Sequence, residues 1–149
     1  MPKLKDVFVD NNVAKNFCNP VDPEFKEFVR WLFLRGTLVV SNKIINEYSR
    51  SCGGSHSRSN ILVIIDHQLR RKRLMKISNA EIDSIAFTKA ELRLIKSNRS
   101  DHQHLKVVRL SRRRLVITND GNFANDVVKL PCISGRASDR PEQLPYREG

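Results

Sequence analysis

The chain has 149 residues, the usual length of one domain that buries a substantial core without staples. Its 27 lysines and arginines against 16 aspartates and glutamates give a net charge of +11, which favours a polyanionic partner, nucleic acid first, over a protein that is merely basic. Three scattered cysteines, Cys18, Cys52 and Cys132, lack any Cys-x-x-Cys spacing and argue against a zinc ribbon or a disulfide framework.

In chain order, Val7-Phe8-Val9 reads as a buried strand that ends at Asp10. Asp22-Pro23 is a helix start, an acid cap followed by Pro at the first helical position. Phe25, Phe28, Val29, Leu32 and Phe33 follow at helical spacing, and Gly36 fits the stop. Thr37 to Val40 is the second strand, and Ser41 or Asn42 caps a short helix with Ile44, Ile45, Glu47 and Tyr48. Cys52-Gly53-Gly54-Ser55 is a loop without the Lys-Ser/Thr of a phosphate-binding loop. Ile61 to Met75 reads as a helix with the basic end Arg70-Arg71-Lys72-Arg73, and Asn79 to Ile85 as a loop or turn.

Ala90 to Ile95 reads as helical, and Ser100 opens another helix in a capping-box pattern with Gln103. Leu115 to Thr118 is the third clear strand, with short edge strands expected at Val127-Val128 and near Ile133. From Gly135 on, the chain is polar and Pro-rich, so 1–134 reads as the folded domain and 135–149 as a flexible tail. Strands separated by helices predict an α/β fold, a three-layer α/β/α sandwich with a mostly parallel central sheet. No apolar run nears the roughly 20 residues of a membrane helix, and Met1 to Asp6 lacks a signal-peptide core, so the expectation is a soluble, cytoplasmic protein without a membrane partner.

Four acids stand at the ends of predicted strands or on the inward faces of predicted helices. Asp10 and Asp120 follow predicted strands, and in a parallel sheet both lie on one edge, where such sheets bind ligands. Glu47 falls on or beside the apolar stripe of its helix, and Asp101 heads an inward face with Leu105 and Val108. Each has an ordinary reading as a loop cap, a helix-dipole partner or a surface residue. Jointly they converge on one rim, where they repel one another unless a cation sits among them. Oxygen donors suit magnesium, manganese or calcium rather than zinc, and with a phosphate-bearing partner the natural chemistry is metal-assisted hydrolysis.

These segments resemble the PIN-domain nucleases, especially the VapC-type toxins of toxin–antitoxin pairs. The resemblance is carried by Val7-Phe8-Val9-Asp10-Asn11-Asn12, by Val39 to Tyr48, by Ser100-Asp101-His102-Gln103-His104-Leu105 and by Leu115 to Phe123, the last being the most specific. In that order they span about Val7 to Ile133. The resemblance implies that Asp10, Glu47, Asp101 and Asp120 hold Mg2+ or Mn2+ and carry catalysis. It places Asn12, Thr118 and Asn122 beside them, Thr118 orienting an acid or water. Asn122 stands where many members have a further acid, so the carboxylates present suffice for one firmly held metal. Asp126 is a candidate extra ligand or a turn cap. The implied activity is endonucleolytic cleavage of single-stranded or loop RNA, in tRNA or ribosomal RNA, by a toxin whose partner is a small protein antitoxin. A homodimer is implied too; the sequence offers an aromatic surface around Phe28, Trp31 and Phe33 for it, with Trp31 reading either as core or as a dimer contact.

His102 and His104 lie about 200° apart on a helix and cannot chelate one ion together. Arg70, Arg71 and Arg73, with Arg112, Arg113 and Arg114, either grip RNA phosphates or form solvated helix ends. The leading function is a metal-dependent endoribonuclease. The alternative is a PIN-fold RNA-binding or scaffold protein without efficient cleavage, for which Asn122 argues. A structure-specific DNA nuclease needs extra helical elements for which the chain has little room.

Overall fold

A computed structural model describes residues 5–18 and 21–148 of the chain. Met1 to Leu4, part of the segment read as lacking a signal-peptide core, lie outside the described residues. The strands are β1 (Asp6–Val9), β2 (Thr37–Val40), β3 (Met75–Lys76), β4 (Leu115–Ile117) and β5 (Arg136–Ser138). The helices are α1 (Asn11–Ala14), α2 (Pro23–Leu34), α3 (Asn42–Cys52), α4 (Ile61–Arg70), α5 (Asn79–Asp83), α6 (Lys89–Leu94), α7 (His102–Leu110) and α8 (Gly121–Lys129). The strands form one sheet in the order β3-β2-β1-β4-β5, and every pair is parallel. Helices flank the sheet, giving the expected α/β/α sandwich.

The apolar runs explain this order. Val7, Phe8 and Val9 are buried, as are Leu38, Val39 and Val40 beside them, because both faces of a parallel sheet are covered. The Phe8 ring meets His104 of α7 at 5.6 Å and Phe123 of α8 at 6.1 Å. Asp22 caps α2 through Glu24 N at 2.9 Å, and Ser41 caps α3 through Ile44 N at 3.2 Å. β1, β2 and β3 are laid down toward one side, and β4 then adds on the other side of β1. The crevice between the ends of β1 and β4 is therefore the topological switch point of the sheet. No helix among the described residues is long and apolar enough to cross a membrane.

Several expectations need correction. The helix expected over Ile61 to Met75 stops at Arg70, because Lys72 takes φ 57°, and the chain re-enters as edge strand β3 beside Val39 and Val40. The short β3 leaves Leu38 N uncovered; the buried Gln68 amide accepts from it at 2.7 Å and donates to Leu32 O at 2.9 Å. The segment expected to be a loop at Asn79 is helix α5, closed by a Ser78–Glu81 capping box. Ser100 and Gln103 form no such box; a 3₁₀ turn at Arg99–Asp101 leads into α7. Val127 and Val128 belong to α8, not to a strand.

The largest correction concerns residues 135–148, which are not a loose tail. β5 pairs with β4 in register Leu115 to Arg136 and Ile117 to Ser138. Gly135 starts it where a Cβ would stand 2.5 Å from Arg114 O, so only glycine lets the chain pass so close. Tyr146 is buried edge-on against Phe28 and Trp31, with ring centroids 4.9 Å from each. Phe28 and Trp31 are therefore core residues under the chain's own C-terminal segment, not an aromatic surface for a dimer.

Candidate active site

Asp10 continues from β1: its N–H donates to Ile117 O of β4 at 2.9 Å, so the acid sits in the crevice between the two strands. Its Oδ1 accepts from Asn11 N at 2.8 Å. Its Oδ2 accepts from Thr118 Oγ1 at 2.7 Å and more weakly from Asn12 Nδ2 at 3.4 Å. Burial pushes the Asp10 carboxyl above the ordinary range; the Thr118 hydroxyl and the His104 charge oppose that without cancelling it, and Asp101 adds to it. Thr118 Oγ1 also accepts from Asp120 N at 3.1 Å, so one buried hydroxyl ties Asp10 to Asp120.

Asp120 caps α8, with Oδ1 accepting from Asn122 N at 3.0 Å and Phe123 N at 3.2 Å. Asn122 contributes that backbone group and otherwise faces solvent. Asn12 Oδ1 accepts from Asn119 N at 3.1 Å, which holds the turn before Asp120 against α1.

Glu47 arrives from α3. The next residue, Tyr48, is buried and donates its hydroxyl to Val9 O, which locks that turn of α3 against the end of β1. Glu47 Oε2 accepts from His104 Nε2 at 2.7 Å. Burial raises the Glu47 carboxyl, but the His104 hydrogen bond and the charges of His104, Lys43 and Arg50 hold it below the usual value. Asp101 ends the turn before α7, and among the described residues its carboxylate accepts no hydrogen bond. Burial raises Asp101; His104 and Lys43 oppose, while Asp120 and Glu47 push it further up.

The structure thus brings all four expected acids to the carboxyl edge of the sheet, within reach of one another's charge. Their donors are hard oxygens, and Asp101 and one oxygen each of Glu47 and Asp120 carry no hydrogen bond from the described residues. In chemistry this set fits magnesium or manganese. In spacing it is open: among the described residues, no three His, Cys, Asp or Glu side chains form a group ready to hold an ion.

His104 is the residue that sequence reasoning missed. It touches Glu47, its charge bears on Asp10 and Asp101, and its ring packs on Phe8. Its position on the same stripe as Val107 and Val108 was the available signal. His102, two residues before it, turns instead toward Phe87, 6.4 Å away. Asp126 is no extra ligand, since its two oxygens accept from Lys96 N at 2.9 Å and Ser97 N at 2.8 Å.

The six arginines expected to meet RNA precede β3 and β4, so they lie at the edge of the sheet opposite the acids. Arg73 donates to Gly36 O and Phe33 O, and Arg114 to Ile133 O. Arg113 donates to Asp6 O, Tyr146 O and Glu148 O, clamping the C-terminal segment. Arg70 pairs with Asp66 on an exposed helix face. Arg71 and Arg112 keep their side chains in solvent. Compared with known proteins, the chain matches no family model and no curated protein.

Proposed function

We propose that the protein is a divalent-metal-dependent endoribonuclease acting on single-stranded or loop RNA. One observation carries this reading: four carboxylates from separate elements come to the switch point of a parallel sheet, where Asp101 adds to the raised proton affinity of Asp10, and Asp120 and Glu47 add to that of Asp101. A strongly basic protein that concentrates negative charge there has a use for a cation, and a phosphodiester is the substrate that its net charge favours. Asp10, Glu47, Asp101 and Asp120 would hold Mg2+ or Mn2+, which when bound supplies Lewis acidity at the phosphate and to the attacking water. Thr118 fixes the orientation of Asp10, and His104 fixes that of Glu47. The biological setting that the sequence resemblance implies is the toxin half of a toxin–antitoxin pair, with a protein antitoxin covering this edge. The three free cysteines suit a reducing cytoplasm.

The open spacing of the acids favours a second reading, an RNA-binding protein that cleaves weakly or not at all. One experiment separates the two. Purified protein is incubated with a mixed RNA pool in manganese, in magnesium and in chelator. The nuclease reading expects cleavage with either metal and none in chelator. Cleavage that persists unchanged in chelator overturns the metal requirement, and binding without cleavage selects the second reading.

A further inference from the structure

Beside the acids lies a cleft of about 580 Å³ with an apolar floor and a polar rim. Val13 and Phe17 form the floor, and the half-buried Phe25 ring forms one wall, 6.2 Å from Phe17. Lys15, Asn16 and Asn119 stand on the rim, all exposed. The cleft is continuous with the site: Asn119 precedes Asp120, and Asn12 bridges Asn119 to Asp10. We infer that this cleft receives one unpaired base of an RNA strand whose phosphate lies at the acid edge; the inference rests on the nuclease reading.

Charge balance selects a base rather than a phosphate. The lining cations Lys15 and Arg140 are matched by Asp22 and Asp139. Arg140 is already spent on Asp22 and Glu142, each at 2.7 Å, and its guanidinium lies 5.2 Å from the centroid of Phe25. A phosphate would find no free excess of positive charge. A flat, uncharged heterocycle finds the half-buried Phe25 ring and the apolar floor to pack against, and the Asn16 and Asn119 amides to read its edge, the usual recipe for an unstacked base. The volume lies within the range of small-molecule sites.

The test uses the full chain carrying Asp10→Asn, to prevent cutting, with magnesium and a short labelled single strand. Bases are removed one position at a time and affinity is read by fluorescence anisotropy. Loss of one particular base lowers affinity about 10-fold. Phe25→Leu, which keeps an apolar side chain, lowers affinity for the intact strand by a similar factor and abolishes sensitivity at that position. Asn119→Ala, at an exposed site, alters the preference among bases there and supplies the readout should Phe25→Leu not fold. A free nucleoside monophosphate competes only at much higher concentration. Equal affinity for every base-free strand, or unaltered sensitivity in both variants, overturns the pocket and leaves the nuclease reading standing. Failure of every strand to bind removes both.

Discussion

Asp101 is the acid whose environment most directly exposes the cost of gathering negative charge at one edge. Asp10 accepts backbone and side-chain hydrogen bonds and Asp120 accepts two from backbone N–H groups, whereas Asp101 accepts none among the described residues and faces the charges of Asp120 and Glu47. Its folded-state proton affinity is raised, so the fold holds that proton more tightly than the unfolded chain does. The group's stabilising contribution is full below its ordinary value of 3.8 and declines as pH rises through the raised folded-state value. At pH 7 the ionised carboxylate therefore costs stability. Asp101→Asn should raise the Tm of the metal-free protein by about 2 °C at pH 7, with the gap closing below pH ~4. Manganese should reverse the order by stabilising the wild type more. Thermal melts across pH in chelator and in manganese check this, and a wild type that melts above the variant in chelator at pH 7 contradicts it. On the proposed nuclease reading, activity depends on the same residues. Asp10→Asn or Asp120→Asn should reduce cleavage about 100-fold or more, the scale of losing one electrostatic element of a reacting site. Circular dichroism should show the fold intact.

At the scale of elements, the C-terminal segment decides more than its composition suggests. Tyr146 fills the space over Phe28 and Trp31, and Arg113 holds its carbonyl from the start of β4. Tyr146→Ala should cost about 3 kcal/mol, the usual scale for truncating a buried aromatic. Denaturant unfolding measures it, and a change within error would show the segment to be a passive cover. The sequence could not show this, because β5 reads Arg136-Ala137-Ser138 and has no apolar alternation. It is held by the ladder to β4, a partner distant in sequence, after Gly135 lets the chain pass close to Arg114 O. β3 escaped notice for the same reason: two residues at a sheet edge leave no periodicity to read. By contrast, β1, β2, β4 and α2 were legible, since long apolar runs and the caps Asp22 and Ser41 are local signals. Asp10 and Asp120 were legible because they closely follow the β1 and β4 runs, and Glu47 and Asp101 through their helical spacing to apolar residues. His104 was not, because its meaning depends on Glu47, a partner on another helix.

Across the whole molecule, charge is separated by the direction of the strands. Acids gather where the parallel strands end, and Arg70 to Arg73 and Arg112 to Arg114 gather where β3 and β4 begin. A strand rises about 3.3 Å per residue, so even strands of three or four residues, with their flanking turns, put the two edges well beyond one phosphate spacing. A short strand held at the acids cannot reach the far arginines, whereas a longer one can wrap around the sheet. Among the described residues, Arg71 and Arg112 are the arginines of these clusters whose side chains face solvent without a hydrogen-bond partner, so they are the ones to change. For a strand of about four nucleotides, Arg71→Gln with Arg112→Gln should leave both affinity and salt dependence unaltered. For a strand of about 16 nucleotides, the slope of log affinity against log salt should flatten by roughly 0.7 for each phosphate that is no longer neutralised. The Asp120→Asn protein, measured over a salt series with both lengths, gives the comparison. Identical slopes at both lengths would assign these arginines to solvation alone, and a loss at the shorter length would mean that the RNA path does not start at the acids.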